Sequence, residues 1–229
     1  MRKPLAHSGF FQSCINLIGR EYDFDTDSFF QLNMSSDEDR SGDQVEVGEY
    51  SMVAFQEQSI QTDKPYKKLS ALQRQRALKK KNDDWHPSFD ERTYTKFTPF
   101  ADDQIKDFLN TFSPYGEESC RSSIVRLQPG KFLRPHFDCG PDIVTRFQIP
   151  LVTNPGAKLG FRKNKRDLWN VYRFEPGYIY FINTGYEHYA TNYGSETRFH
   201  VRVCCNGTEV LKDYEEVDPM AIKVKWNTY

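Results

Sequence analysis

The feature that most constrains this chain is a rhythm that begins near residue 122. Short alternating stretches follow one another at 122–127, 132–136, 143–151, 158–161, 168–174, 178–182, 186–191 and 197–203. Between several of them stand Gln128-Pro129-Gly130, Asn154-Pro155-Gly156 and Glu175-Pro176-Gly177. Proline presets φ and glycine accepts positive φ, so each triplet turns the chain instead of extending a strand. A run of about eight short strands with frequent turns builds a sandwich or jelly roll. The many aromatic residues of this half suit pleated, half-buried surfaces.

Upstream of this region two helices are predicted. Ser70 is a suitable N-cap for residues 71–80, with Leu72 and Leu78 on or near one face. Lys79, Lys80 and Lys81 complement the negative end of that helix. Residues 64–81 carry eight Lys or Arg and no acid, which reads as a solvated helix leading into the domain, with an anionic partner as the competing reading. Phe100, Ile105, Phe108 and Leu109 recur at helical spacing and predict a helix over 101–112. Residues 35–43 (SSDEDRSGD) lack apolar anchors and read as a mobile loop. Segments 29–32 and 45–55 flank it as candidate strands. The expected organisation is an N-terminal extension over 1–84, holding the acidic loop and the basic helix, and a β domain over 85–229.

Composition narrows the setting. A chain of 229 residues is long enough to bury a sizeable core. Its net charge of −1 offers no argument for nucleic acid. No apolar run is long enough for a transmembrane helix, and Met1 to Arg20 lacks the apolar core of a secretory leader. The five cysteines (Cys14, Cys120, Cys139, Cys204 and Cys205) are odd in number and form no CxxC. Reduced thiols in a cytoplasmic protein are expected.

The chemistry-bearing residues cluster in the β region. His136 and Asp138 stand two apart at the end of a predicted strand, where side chains at i and i+2 leave from one face. His188, at the start of a later strand, is the best third ligand. Two imidazoles and a carboxylate on one face of a metal leave positions open for further ligands, the arrangement of iron(II) oxygenases. The competing readings are a chance HxD and a hydrogen-bonded core histidine. A zinc hydrolase draws on the same ligand types.

Ten residues after His188, the segment from Arg198 to Val203 alternates strictly, with Phe199, Val201 and Val203 on one face and Arg198, His200 and Arg202 on the other. If the second face is interior, Arg198 is a buried cation that requires an anion. A dicarboxylate chelating a metal at its other end supplies one, through a bidentate contact. If that face is solvated, Arg198 is an ordinary surface charge. Arg146 and Gln148 share a face in the same way, and for them an ordinary surface strand competes equally.

Taken together, the blocks Pro135-His136-Phe137-Asp138, Arg146 to Asn154, Glu175-Pro176-Gly177 with the following strand, and His188 with Arg198-Phe199-His200 resemble the aspartyl/asparaginyl β-hydroxylase family, including its bacterial proline cis-hydroxylase branch. The resemblance implies a mainly β fold, a double-stranded β-helix (jelly-roll, cupin-like) core with flanking N-terminal helices. It implies a dioxygenase using Fe(II), 2-oxoglutarate and O2 to hydroxylate an amino acid, free or within a peptide, with succinate and CO2 as co-products. By position, His136, Asp138 and His188 would be the catalytic metal ligands. Arg198, Arg146 and His200 would bind or support the co-substrate. Asp138 stands where vertebrate peptidyl members carry glycine, and its presence argues against halogenation. Gln148 stands where a histidine often sits, and Cys204-Cys205 where an aspartate is common. The rival functions are a metal-dependent cupin-type hydrolase or isomerase and a non-catalytic binding module.

Overall fold

A computed structural model describes residues 8–23, 50–112, 119–176, 178–207 and 222–225. The acidic stretch 35–43 and the candidate strand 29–32 lie outside the described residues.

The β region folds as two facing sheets. Strands β4 (Ser119–Leu127), β6 (Val144–Val152), β9 (Tyr178–Ile182) and β11 (Arg198–Asn206) form one, in the order β4-β11-β6-β9. Strands β5 (Lys131–His136), β7 (Ala157–Arg162), β8 (Asn170–Tyr172) and β10 (Glu187–Asn192) form the other, in the order β5-β10-β7-β8. The chain passes back and forth between the sheets with antiparallel pairing throughout. This is the expected double-stranded β-helix. Gln128-Pro129-Gly130 and Asn154-Pro155-Gly156 lie between strands, and Gly130 adopts φ 75.

The larger sheet is extended at both edges, by β1 (Tyr50–Ala54) beside β4 and by β12 (Ile222–Lys225) beside β9. A short ribbon pairs β2 (Gln56–Glu57) with β3 (Lys96–Phe97). Elements on both sides of residue 84 share one core. Helix α1 (Ser8–Asp23) places Phe10, Cys14, Leu17 and Ile18 against Ile105, Phe108 and Leu109 of helix α3 (Asp103–Asn110). Both helices lie on the outer face of the larger sheet, where Ile124, Phe147, Ile149, Phe181, Phe199, Val201 and Val203 meet them. The rings of Phe10 and Phe108 stack at 3.6 Å.

Helix α2 (Ala71–Lys80) begins at Ser70 with a reciprocal capping box: Ser70 accepts from the Gln73 N–H and Gln73 accepts from the Ser70 N–H. It ends at Lys81 in the left-handed region. Leu78 is buried with Leu69, Phe89, Cys120 and Cys204, whereas Leu72 points to solvent at 58% exposure. Helix α3 is shorter than its hydrophobic repeat suggests, because Asp102 caps it by accepting from the Ile105 N–H.

The central strands carry the stability of this arrangement and the surface cap carries little. Ile149→Ala is expected to lower unfolding free energy by about 2–5 kcal/mol, and Ser70→Ala by about 1 kcal/mol, in urea titrations with unchanged denaturant slope.

Candidate metal centre

His136 closes β5 and His188 is the second residue of β10, and the two are direct register partners on neighbouring strands. Their rings lie 4.2 Å apart between centroids. Asp138 stands beyond the end of β5, in a loop and not on the strand. Its N–H donates to the Thr184 carbonyl at 2.9 Å, which ties the loop after β5 to the one before β10. One ligand atom each from His136, Asp138 and His188 lie within 4.8 Å of one another.

Hydrogen bonds select the tautomers. His136 Nδ1 donates to the Arg134 carbonyl at 2.7 Å, and His188 Nδ1 donates to the Tyr186 carbonyl at 2.9 Å. A carbonyl only accepts, so each Nδ1 carries a hydrogen and each Nε2 is the nitrogen left to face a metal. Burial, followed by the charge of His136, lowers the His188 pKa to about 4, so this imidazole is neutral at physiological pH. Burial alone would raise the Asp138 carboxyl. Arg146 first, then His136, His188 and Arg202, outweigh it and hold the group well below the usual range. Two imidazoles and a carboxylate fit a divalent transition metal.

The interior row of β11 is polar. Arg198 is 2% exposed and His200 is 1% exposed, so both face inward as the strand alternation allows. Register sets Arg198 opposite Leu127, His200 opposite Val125 and Pro150, and Arg202 opposite Ser123 and Gln148. Neither ring nitrogen of His200 has a hydrogen-bond partner among the described residues, although its ring lies parallel to Phe174. An orphaned, fully buried imidazole beside a buried guanidinium fits a polar ligand between the sheets.

Arg146 is 2% exposed, which removes the surface-strand reading for it. Its Nη1 donates to the Cys139 carbonyl at 3.1 Å and to Thr184 Oγ1. Its Nη2 donates to Glu91 Oε2 at 2.7 Å and lies 3.7 Å from Asp138 Oδ2. Glu91, on a 3-10 turn (Glu91–Thr93), also accepts from Arg121 Nη1 at 2.9 Å. Arg121 takes φ 44 where the β4–β11 register shifts, a bulge that re-aims its side chain. Sequence reasoning missed Glu91. A buried Arg146 demands a counter-charge, but nothing local marks a partner 55 residues away.

Tyr172, Tyr186, Tyr189 and Trp169 divide between faces. Tyr172 and Tyr186 pack on the inner cluster with Phe161 and Phe174. Tyr189 lies on the opposite face of β10 from His188, against Gly160 and Trp169. Lys165 and Arg166 are exposed on the turn after β7, and Lys163 sits over the Tyr186 ring.

Burial, with a smaller contribution from Arg198, holds His200 well below the ordinary histidine value of 6.5. The unfolded chain binds a proton that the folded imidazole refuses, so stability falls as pH drops below that value. Thermal melts of the metal-free protein between about pH 7 and about pH 5 are expected to show a smaller drop for His200→Gln than for wild type.

A family model described as Aspartyl/Asparaginyl beta-hydroxylase matches residues 59–206. A search of curated proteins returns no significant match. Among solved structures, a 2OG-Fe(II) oxygenase family oxidoreductase from Burkholderia pseudomallei is similar at 14% identity and a TM-score of 0.39, over 69% of this chain and 68% of that one. The 7S globulin of Momordica charantia matches at 19% identity and a TM-score of 0.29, over 39% of this chain and 24% of its own length. The oxalate decarboxylase of Lactobacillus farciminis matches at 24% identity and a TM-score of 0.32, over 39% of this chain and 25% of its own length. No helix among the described residues is long and apolar enough to cross a membrane. With its family match covering most of the β region and the segment leading into it, the chain belongs to the aspartyl/asparaginyl β-hydroxylase family.

Proposed function

We propose that this protein is an iron(II)- and 2-oxoglutarate-dependent dioxygenase that hydroxylates an amino acid, free or within a peptide of Asp, Asn or Pro type. The observation that carries this reading is the convergence of His136, Asp138 and His188 at one end of a barrel whose interior also buries Arg198 and His200. His136 and His188 hold the metal through Nε2 and Asp138 through its carboxylate. When bound, iron(II) with 2-oxoglutarate and O2 supplies the oxidising chemistry, yielding succinate, CO2 and a hydroxylated C–H position. Arg198 takes the far carboxylate of the co-substrate by charge-assisted hydrogen bonds, and His200 donates or accepts beside it. Arg146 has its two Nη groups committed to Glu91, Cys139 and Thr184, so it serves the co-substrate through its charge and its buried Nε. Asp138 and the Arg198-x-His200 pair support the proline hydroxylase-like branch. Arg198 and His200 are buried between the sheets, which strengthens the contacts these two make.

Anaerobic addition of iron(II) and then 2-oxoglutarate is expected to produce a weak visible charge-transfer band in the wild type. His188→Ala is expected to abolish the band and Arg198→Ala to weaken it. Iron retained without a band would favour the cupin-type hydrolase or isomerase, and no iron retained would favour a binding module.

A further inference from the structure

Glu91 lies outside the ligand set and far from it in sequence, yet it is 8% exposed and divides its two oxygens between Arg121 and Arg146. Arg146 in turn faces Asp138. Four buried or half-buried charges thus alternate in sign along Arg121, Glu91, Arg146 and Asp138. A carboxylate facing an uncompensated guanidinium in a water-poor interior would be drawn to it and away from a metal. With Glu91 in place, Arg146 already has its countercharge at 2.7 Å and keeps Asp138 at the longer 3.7 Å. The same contact aims Arg146 Nη1 at Cys139 and Thr184, one in each of the loops flanking the ligands.

We propose that Glu91 is a positioning residue for the metal centre: by holding and neutralising Arg146, it leaves the Asp138 carboxylate available to the metal. The inference rests on the metal-centre reading. Its segment, anchored by Asp90 through Arg92 and Trp85, makes a turn before the barrel part of the site.

The test is titration of the full chain with Co(II), followed by the visible absorption of the bound ion, with no turnover required. Wild type is expected to bind. Glu91→Gln, which keeps shape and loses charge, is expected to bind about 10- to 100-fold more weakly, the usual cost of losing a residue that orients a ligand. Glu91→Asp, which keeps the charge, is expected to retain most of the affinity. In an Arg146→Met background, Glu91→Gln is expected to cause no further loss, because its effect runs through the missing cation. Circular dichroism and melting temperature establish that each variant is folded. Equal affinity of wild type and Glu91→Gln overturns the proposal, as does an equal loss in both backgrounds or a Glu91→Asp loss as large as that of Glu91→Gln. A wild type that binds no Co(II) overturns the metal-centre reading, and this proposal with it.

Discussion

One buried cation organises the mouth of this barrel. Arg146 sits in a central strand, yet its guanidinium reaches the loop after β5, the loop before β10 and the turn at Glu91. A charge in that position is costly unless every side of it is answered. The answers come from distant parts of the chain, so forming this one arrangement brings together the segments that carry Asp138 and His188. A neutral residue at this position would leave the Cys139 and Thr184 carbonyl and hydroxyl oxygens without their shared donor.

The barrel can carry so much polarity inside because its apolar burial lies elsewhere. Helices α1 and α3 cover the outer face of the larger sheet, and the large aromatic and aliphatic side chains of β6 and β11 point toward them. Strands β6 and β11 therefore have an apolar outer row and a largely polar inner row, while β4 and β9 also send Leu127, Tyr180 and Ile182 into a smaller apolar cluster between the sheets. On β11 the outer row is Phe199, Val201 and Val203, and the inner row is Arg198, His200 and Arg202. The helices are thus part of how the interior is freed for chemistry, since a two-sheet fold without them would need its inner rows to form the core.

Much of this was legible in the sequence, and the parts that were not have physical reasons. The cap at Ser70 and the strand Tyr178–Ile182 depend on local chemistry, and both stand where the pattern puts them. The alternation on β11 correctly separated the buried apolar row from the charged one, but burial on both faces was invisible until the helices were in place. Helix α1 was overlooked, although Phe10, Cys14, Leu17 and Ile18 recur at helical spacing. Strands β4 and β11 each extend past their predicted ends at Ser119 and Asn206, because a bulge at Arg121 breaks the alternation that pattern reading follows. The His-Asp spacing suggested two ligands on one strand. The strand stops at His136, and it is the Thr184 carbonyl that holds Asp138 in reach. Glu91 needed the fold, since an ion pair across 55 residues has no periodicity to betray it.

Strand β5 is an edge strand, hydrogen-bonded in its sheet to β10 alone, and its ladder is already interrupted by a shift between His188 and Ala190. Its last residue is a register partner of His188. An ion gripped by both imidazoles would therefore act as a rivet at one of the two edges of the smaller sheet. Fraying of that rim and release of the ion would then be the same event, and occupancy of the centre would rise and fall with the local order of β5.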